Sequence, residues 1–101
     1  MRHLISMELE NLARRVLKTG RGGFGHVASA DYIDMPGGAF HVVISVLAPF
    51  YKDANDEYKA KISGIIHEYR DLSDKRVTED PEKVKKLVDD LERITSELER
   101  L

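Results

Sequence analysis

Hydrophobic positions are most regular near the C-terminus, where Val84, Leu87, Leu91, Ile94, Leu98 and Leu101 recur at alternating spacings of three and four. That is the period of a helix with one apolar stripe, which must be covered by other parts of the chain or by another chain. Asp80 and Pro81 open it as cap and first-turn proline, so the pattern predicts a helix over 81–101, roughly 31 Å long. With Val84 at position a of a heptad, the e positions are Val88 and Thr95 and the g positions Lys83, Asp90 and Glu97. Uncharged e positions widen the stripe to the face of a bundle helix and argue against a two-stranded coiled coil. The stripe is expected to pack on the preceding helix.

Three further patterns come before it. Residues 6–19 read as a helix with Ser6 as cap, an apolar face of Ile5, Leu9, Leu12, Ala13, Val16 and Leu17, and Gly20 as its stop. Residues 24–34 and 39–48 read as strands around Met35-Pro36-Gly37-Gly38, a turn-forming tetrad. In the register that puts Met35 opposite Ala39, Ala28, Ala30 and Tyr32 share a face with Phe40, Val42, Ile44 and Val46, and Pro49 ends the second strand. Residues 54–72 read as a helix capped by Asp53, with Tyr58, Ile62, Ile65, Ile66, Tyr69 and Leu72 on its apolar face, followed by a loop over 73–79. A second ridge, Ala60, Ser63, Gly64 and His67, consists mostly of small residues. Gly64 costs such a helix about 1 kcal/mol relative to alanine, which either the close approach of another backbone or a plain solvent face would accommodate.

The expected architecture is one α+β domain over 1–101 in the order α-β-β-α-α. An antiparallel hairpin packs on helices, and a long antiparallel helix pair closes the C-terminal half. A lone hairpin is marginal in water, and the second strand is apolar on both faces. A homodimer completing a larger sheet or bundle is therefore the expected assembly.

Composition narrows the class more than the function. The chain has 101 residues, 16 basic and 18 acidic, for a formal charge of -2, which gives no overall pull toward nucleic acid or an anionic membrane. It has no cysteine, which excludes disulfides, thiolate metal sites and a cysteine nucleophile. No apolar stretch approaches the roughly 18 residues of a membrane span. Early charges at Arg2, Glu8 and Glu10 leave no apolar signal core, so a cytoplasmic protein is expected. Sparse amides with many Lys and Glu fit thermophilic usage.

Candidate chemistry is thin. Residues 20–27, Gly-Arg-Gly-Gly-Phe-Gly-His-Val, resemble the glycine-rich loop of protein kinases. The context excludes a kinase: the loop follows a helix instead of a strand, the next strand has no lysine, and the chain is too short. An anion site remains as a candidate, with Arg14, Arg15, Lys18 and Arg21 beside the flexible backbone of Gly22, Gly23 and Gly25 and the ring of His26. The glycines come after a helix, at its negative end, so the bases are already explained as complements of that end and the helix stop is the favoured reading. The histidines lack metal-ligand spacing, and no metal or cofactor is expected. Asp31 and His41 would be diagonal neighbours on the polar face of the hairpin, flanked by Ser29 and Ser45. Ser45 would lie roughly 13 Å from His41 along the strand, too far for a nucleophile and its base.

The chain therefore reads as a homo-oligomeric interaction or regulatory module with a possible protein partner and no catalytic constellation. A nucleotide- or anion-binding protein, or a small enzyme built on loop 20–26, is the alternative. Nucleic-acid binding is disfavoured, because no aromatic residues interleave with the bases.

Overall fold

The computed structural model describes residues 4–17 and 33–100. They form four α-helices: α1 (Leu4–Leu17), α2 (Gly38–Tyr51), α3 (Asp56–Glu68) and α4 (Pro81–Glu99). Two 3₁₀ turns, Arg70–Asp74 and Val77–Glu79, join α3 to α4. There is no strand among the described residues. The expected α+β fold is thus wrong: the molecule is a helical bundle, and the segment read as the second strand is α2. The proposed first strand, 24–34, lies almost wholly outside the described residues.

Burial shows why 39–48 winds into a helix. Ala39, Val42, Val43, Val46, Leu47 and Phe50 follow the helical spacing and are all buried. The strand pattern used only Phe40, Val42, Ile44 and Val46. Of these, Ile44 is 36% exposed and Phe40 half-buried. Valine-rich strand propensity is a weak preference, and the six-residue stripe overrides it. α2 contacts α1, α3, the first 3₁₀ turn and α4. It contains no charged residue, as befits a helix sheathed by neighbours.

The Pro36-Gly37-Gly38 turn does not reverse a hairpin; it starts α2. Gly37 is the N-cap at φ 80°. Its N–H donates to Lys75 O at 2.9 Å, and His41 N–H donates to Gly37 O at 2.9 Å. A Cβ on Gly37 would lie 2.5 Å from Ser73 O. Two constraints therefore select glycine here: the left-handed backbone and the close approach of the 3₁₀ turn. Pro49 lies within the last turns of α2 rather than ending a strand. Having no N–H, it cannot donate to the Ser45 carbonyl one turn back, yet the helix continues and buries Phe50.

α1 buries the expected face, Leu9, Leu12, Ala13 and Val16. Ser6 is not its cap. It lies inside the helix, fully buried, and its hydroxyl donates to Asp34 Oδ1 at 2.6 Å, tying α1 to the turn before α2.

α4 is capped by Asp80, whose carboxylate accepts from Lys83 N–H at 3.3 Å, with Pro81 in the first turn. It buries Val84, Leu87, Val88, Leu91, Ile94, Thr95 and Leu98. The stripe is the wide one, with both e positions inside. Thr95 donates its hydroxyl to Leu91 O at 2.6 Å, so the buried oxygen is satisfied. The expected packing of α4 on the preceding helix is corrected, since α4 lies chiefly on α1 and α2.

α3 starts two residues further along than Asp53 suggests. Asn55 is its cap, accepting from Tyr58 N–H at 2.9 Å. It stops at Glu68, and the chain tightens into the 3₁₀ turns that carry the buried Tyr69, Leu72 and Val77 inward. Pairs across the junction run in opposite order, Glu68 with Lys86 and Asp71 with Lys83, so α3 and α4 are antiparallel.

Candidate functional site

Most of the residues singled out from sequence do not meet in the described structure. Asp31, Lys18, Arg21, Gly22, Gly23, Gly25 and His26 lie outside the described residues, so the anion loop has no geometry to examine. Arg14 and Arg15 are on the exposed side of α1. Arg14 is 3.5 Å from Glu10 and Arg15 is 3.8 Å from Glu99, so both guanidinium groups already face carboxylates. His41 is on the exposed side of the first turn of α2. The strand register that paired it with Asp31 has no counterpart in a helix. Ser45 is one helical turn from His41, not a strand-length away. No group of three or more His, Asp or Glu side chains able to hold a metal occurs among the described residues.

The strongest polar constellation is one that sequence did not reveal. It fastens the α3 end of the molecule to α4. The phenol of Tyr69, a fully buried residue, donates to Asp90 Oδ2. Burial, followed by that hydrogen bond to a carboxylate, pushes the phenol well above its ordinary pKa. Lys83 lies 5.8 Å from the centre of the Tyr69 ring and donates to both Asp71 oxygens, at 2.6 and 2.7 Å. The hydrogen bond from Lys83 holds the exposed Asp71 carboxyl below its usual range. Next to it Lys86 donates to Glu68, which raises the lysine pKa. A buried phenol held this way, with an ammonium group over its ring, has no face open to a substrate. The cluster latches the 3₁₀ segment to α4.

Sequence held half of that signal. Tyr69 belongs to the apolar stripe predicted for 54–72, and Asp90 flanks the stripe of α4. A tyrosine inside an apolar stripe needs a partner for its hydroxyl, but only the fold shows which carboxylate supplies it.

Beside the latch, α3 and α4 diverge around an open cleft of ≈ 360 Å³ whose walls include Lys61, Gly64, Ile65, Asp90 and Ile94. α3 buries Ile62 alone and leaves Tyr58, Ile65 and Ile66 half-buried. The ridge of Ala60, Ser63, Gly64 and His67 is exposed. A Cβ on Gly64 would meet nothing within 4 Å. No other part of the described chain therefore requires glycine at that position.

Among the described residues no helix is long and apolar enough to cross a membrane. No protein family matches the chain, and no curated protein or solved structure shows significant similarity to it.

Proposed function

We propose that this chain is a small helical interaction module that works as a homo-oligomer, in its simplest form a dimer. The observation that supports it is the uneven burial of the outer helices. α3 spans 13 residues and buries one, beside an open cleft, whereas α4 buries seven along 19. Helices in water owe most of their stability to packing of an apolar face. α3 therefore gains most from a second surface. The need arises from an under-covered helix, since the apolar segment expected to be a strand with two faces to cover is the sheathed α2.

We place this activity in the cytoplasm, in keeping with described helices that do not cross a membrane. Self-association is read directly from mass. Sedimentation equilibrium at micromolar concentrations is expected to give twice the chain mass of 11.5 kDa. A mass of one chain throughout that range, at moderate salt, contradicts the proposal.

A further inference from the structure

We infer that the second copy docks on the outer face of α3, antiparallel to its counterpart and centred on Gly64. This rests on the self-association reading above and names its surface. Two features of the α3 side converge with the pattern of charge. The cleft there has a partly apolar lining, with Ile65 from α3 and Ile94 from α4. Gly64 stands at its edge with open space where a side chain would be, in an exposed helix interior that glycine weakens. A helix approaching from outside makes use of that space, since a missing Cβ lets two backbones come close.

The charges select the occupant. Lys61 and Glu68 lie one turn to either side of Gly64 and Ile65 on α3. An isologous contact brings each patch against itself. Two α3 helices laid antiparallel about an axis at Gly64 and Ile65 place Lys61 opposite Glu68 of the partner subunit, and the reverse pair forms with it. The face is thus complementary to its own copy. A uniformly acidic or basic partner would meet a like charge at one end. Within its own chain Lys61 lies 3.7 Å from Glu57, and Glu68 accepts from Lys86. All four side chains are at least 42% exposed, so these pairs are screened by water and compete little.

The test is sedimentation equilibrium with far-UV circular dichroism as the folding control. The wild-type chain is expected at twice 11.5 kDa. Gly64→Leu, at an exposed position where a Cβ meets no atom of the described chain within 4 Å, is expected to keep the wild-type helix content and run at the single-chain mass. Lys61→Glu and Glu68→Lys each raise the dissociation constant about tenfold, because two attractive pairs become like-charge pairs. The double variant restores it to within about threefold. A wild-type chain that is monomeric at every concentration overturns both this inference and the reading beneath it. A dimer that survives Gly64→Leu overturns this inference alone. So does one broken by Met7→Glu but not by Gly64→Leu, since Met7 belongs to the exposed apolar group Leu4, Met7 and Met35 around the Ser6–Asp34 bond.

Discussion

α2 and α3 are neighbours of similar length, 14 and 13 residues, yet they sit in opposite environments. α2 has no charge and is enclosed by α1, α3, α4 and the first 3₁₀ turn. α3 carries charges along its outer side and buries a single residue. The contrast shows that apolarity alone does not locate an interaction surface. The oiliest stretch of this chain is used up inside its own fold. The surface left for a partner is a mixed one, with small residues, half-buried isoleucines and charges of both signs.

The contrast breaks most readily in the core. Leu47 of α2 is fully buried, and Leu47→Ala is expected to lower the unfolding free energy by about 2–5 kcal/mol in urea titration. Ile65 of α3 is half-buried, and Ile65→Ala is expected to cost about 1 kcal/mol in dilute solution. Equal losses at the two positions would erase the distinction. At the start of α2, Gly37→Ala forces a Cβ onto a positive φ and to 2.5 Å from the Ser73 carbonyl. A loss of about 2 kcal/mol or more is expected, read from the same titrations. A neutral result would mean that α2 does not begin against the 3₁₀ turn.

The smallest effect concerns the latch. Asp71 has its folded-state pKa depressed by Lys83, so its contribution is present above the pKa it has when unfolded and is lost as pH falls through the folded value. Both groups are accessible, so the effect is modest. Asp71→Asn is expected to reduce stability slightly at neutral pH, with the gap to wild type closing under acid conditions. A gap that stays constant with pH would show that the Asp71–Lys83 pair does not work through charge.

The parts of the fold legible in the sequence were those where only one period fits. In α4, Val84 to Leu98 alternates three and four, polar residues fill the gaps apart from Val88, and Asp80-Pro81 marks the start. α1 has the same clarity at Leu9, Leu12, Ala13 and Val16, although Ser6 proved to be a buried donor to Asp34 and not a cap. The segment 39–50 is so apolar that two periods fit at once, and no charged residue marks an outer face. Pro36-Gly37-Gly38 has the composition of a hairpin turn, and Pro49 stands where a strand would end, ahead of Phe50. Counting the full stripe from Ala39 to Phe50 would have favoured a helix. Little of the site was legible, because the Tyr69–Asp90 bond joins residues 21 apart that only the 3₁₀ turns bring together. The cost of Gly64 was visible in the sequence, but the empty space beside it was not.

Amide hydrogen exchange at several protein concentrations tests the central claim most directly. Amides of 42–48 and of Phe50 in α2 are expected to be the best protected and insensitive to concentration, as in a core helix. Those of 60–67 in α3 are expected to exchange faster in dilute solution and to gain protection as concentration rises. Equal protection in the two helices, unchanged by dilution, would contradict both the asymmetry and the self-association built on it.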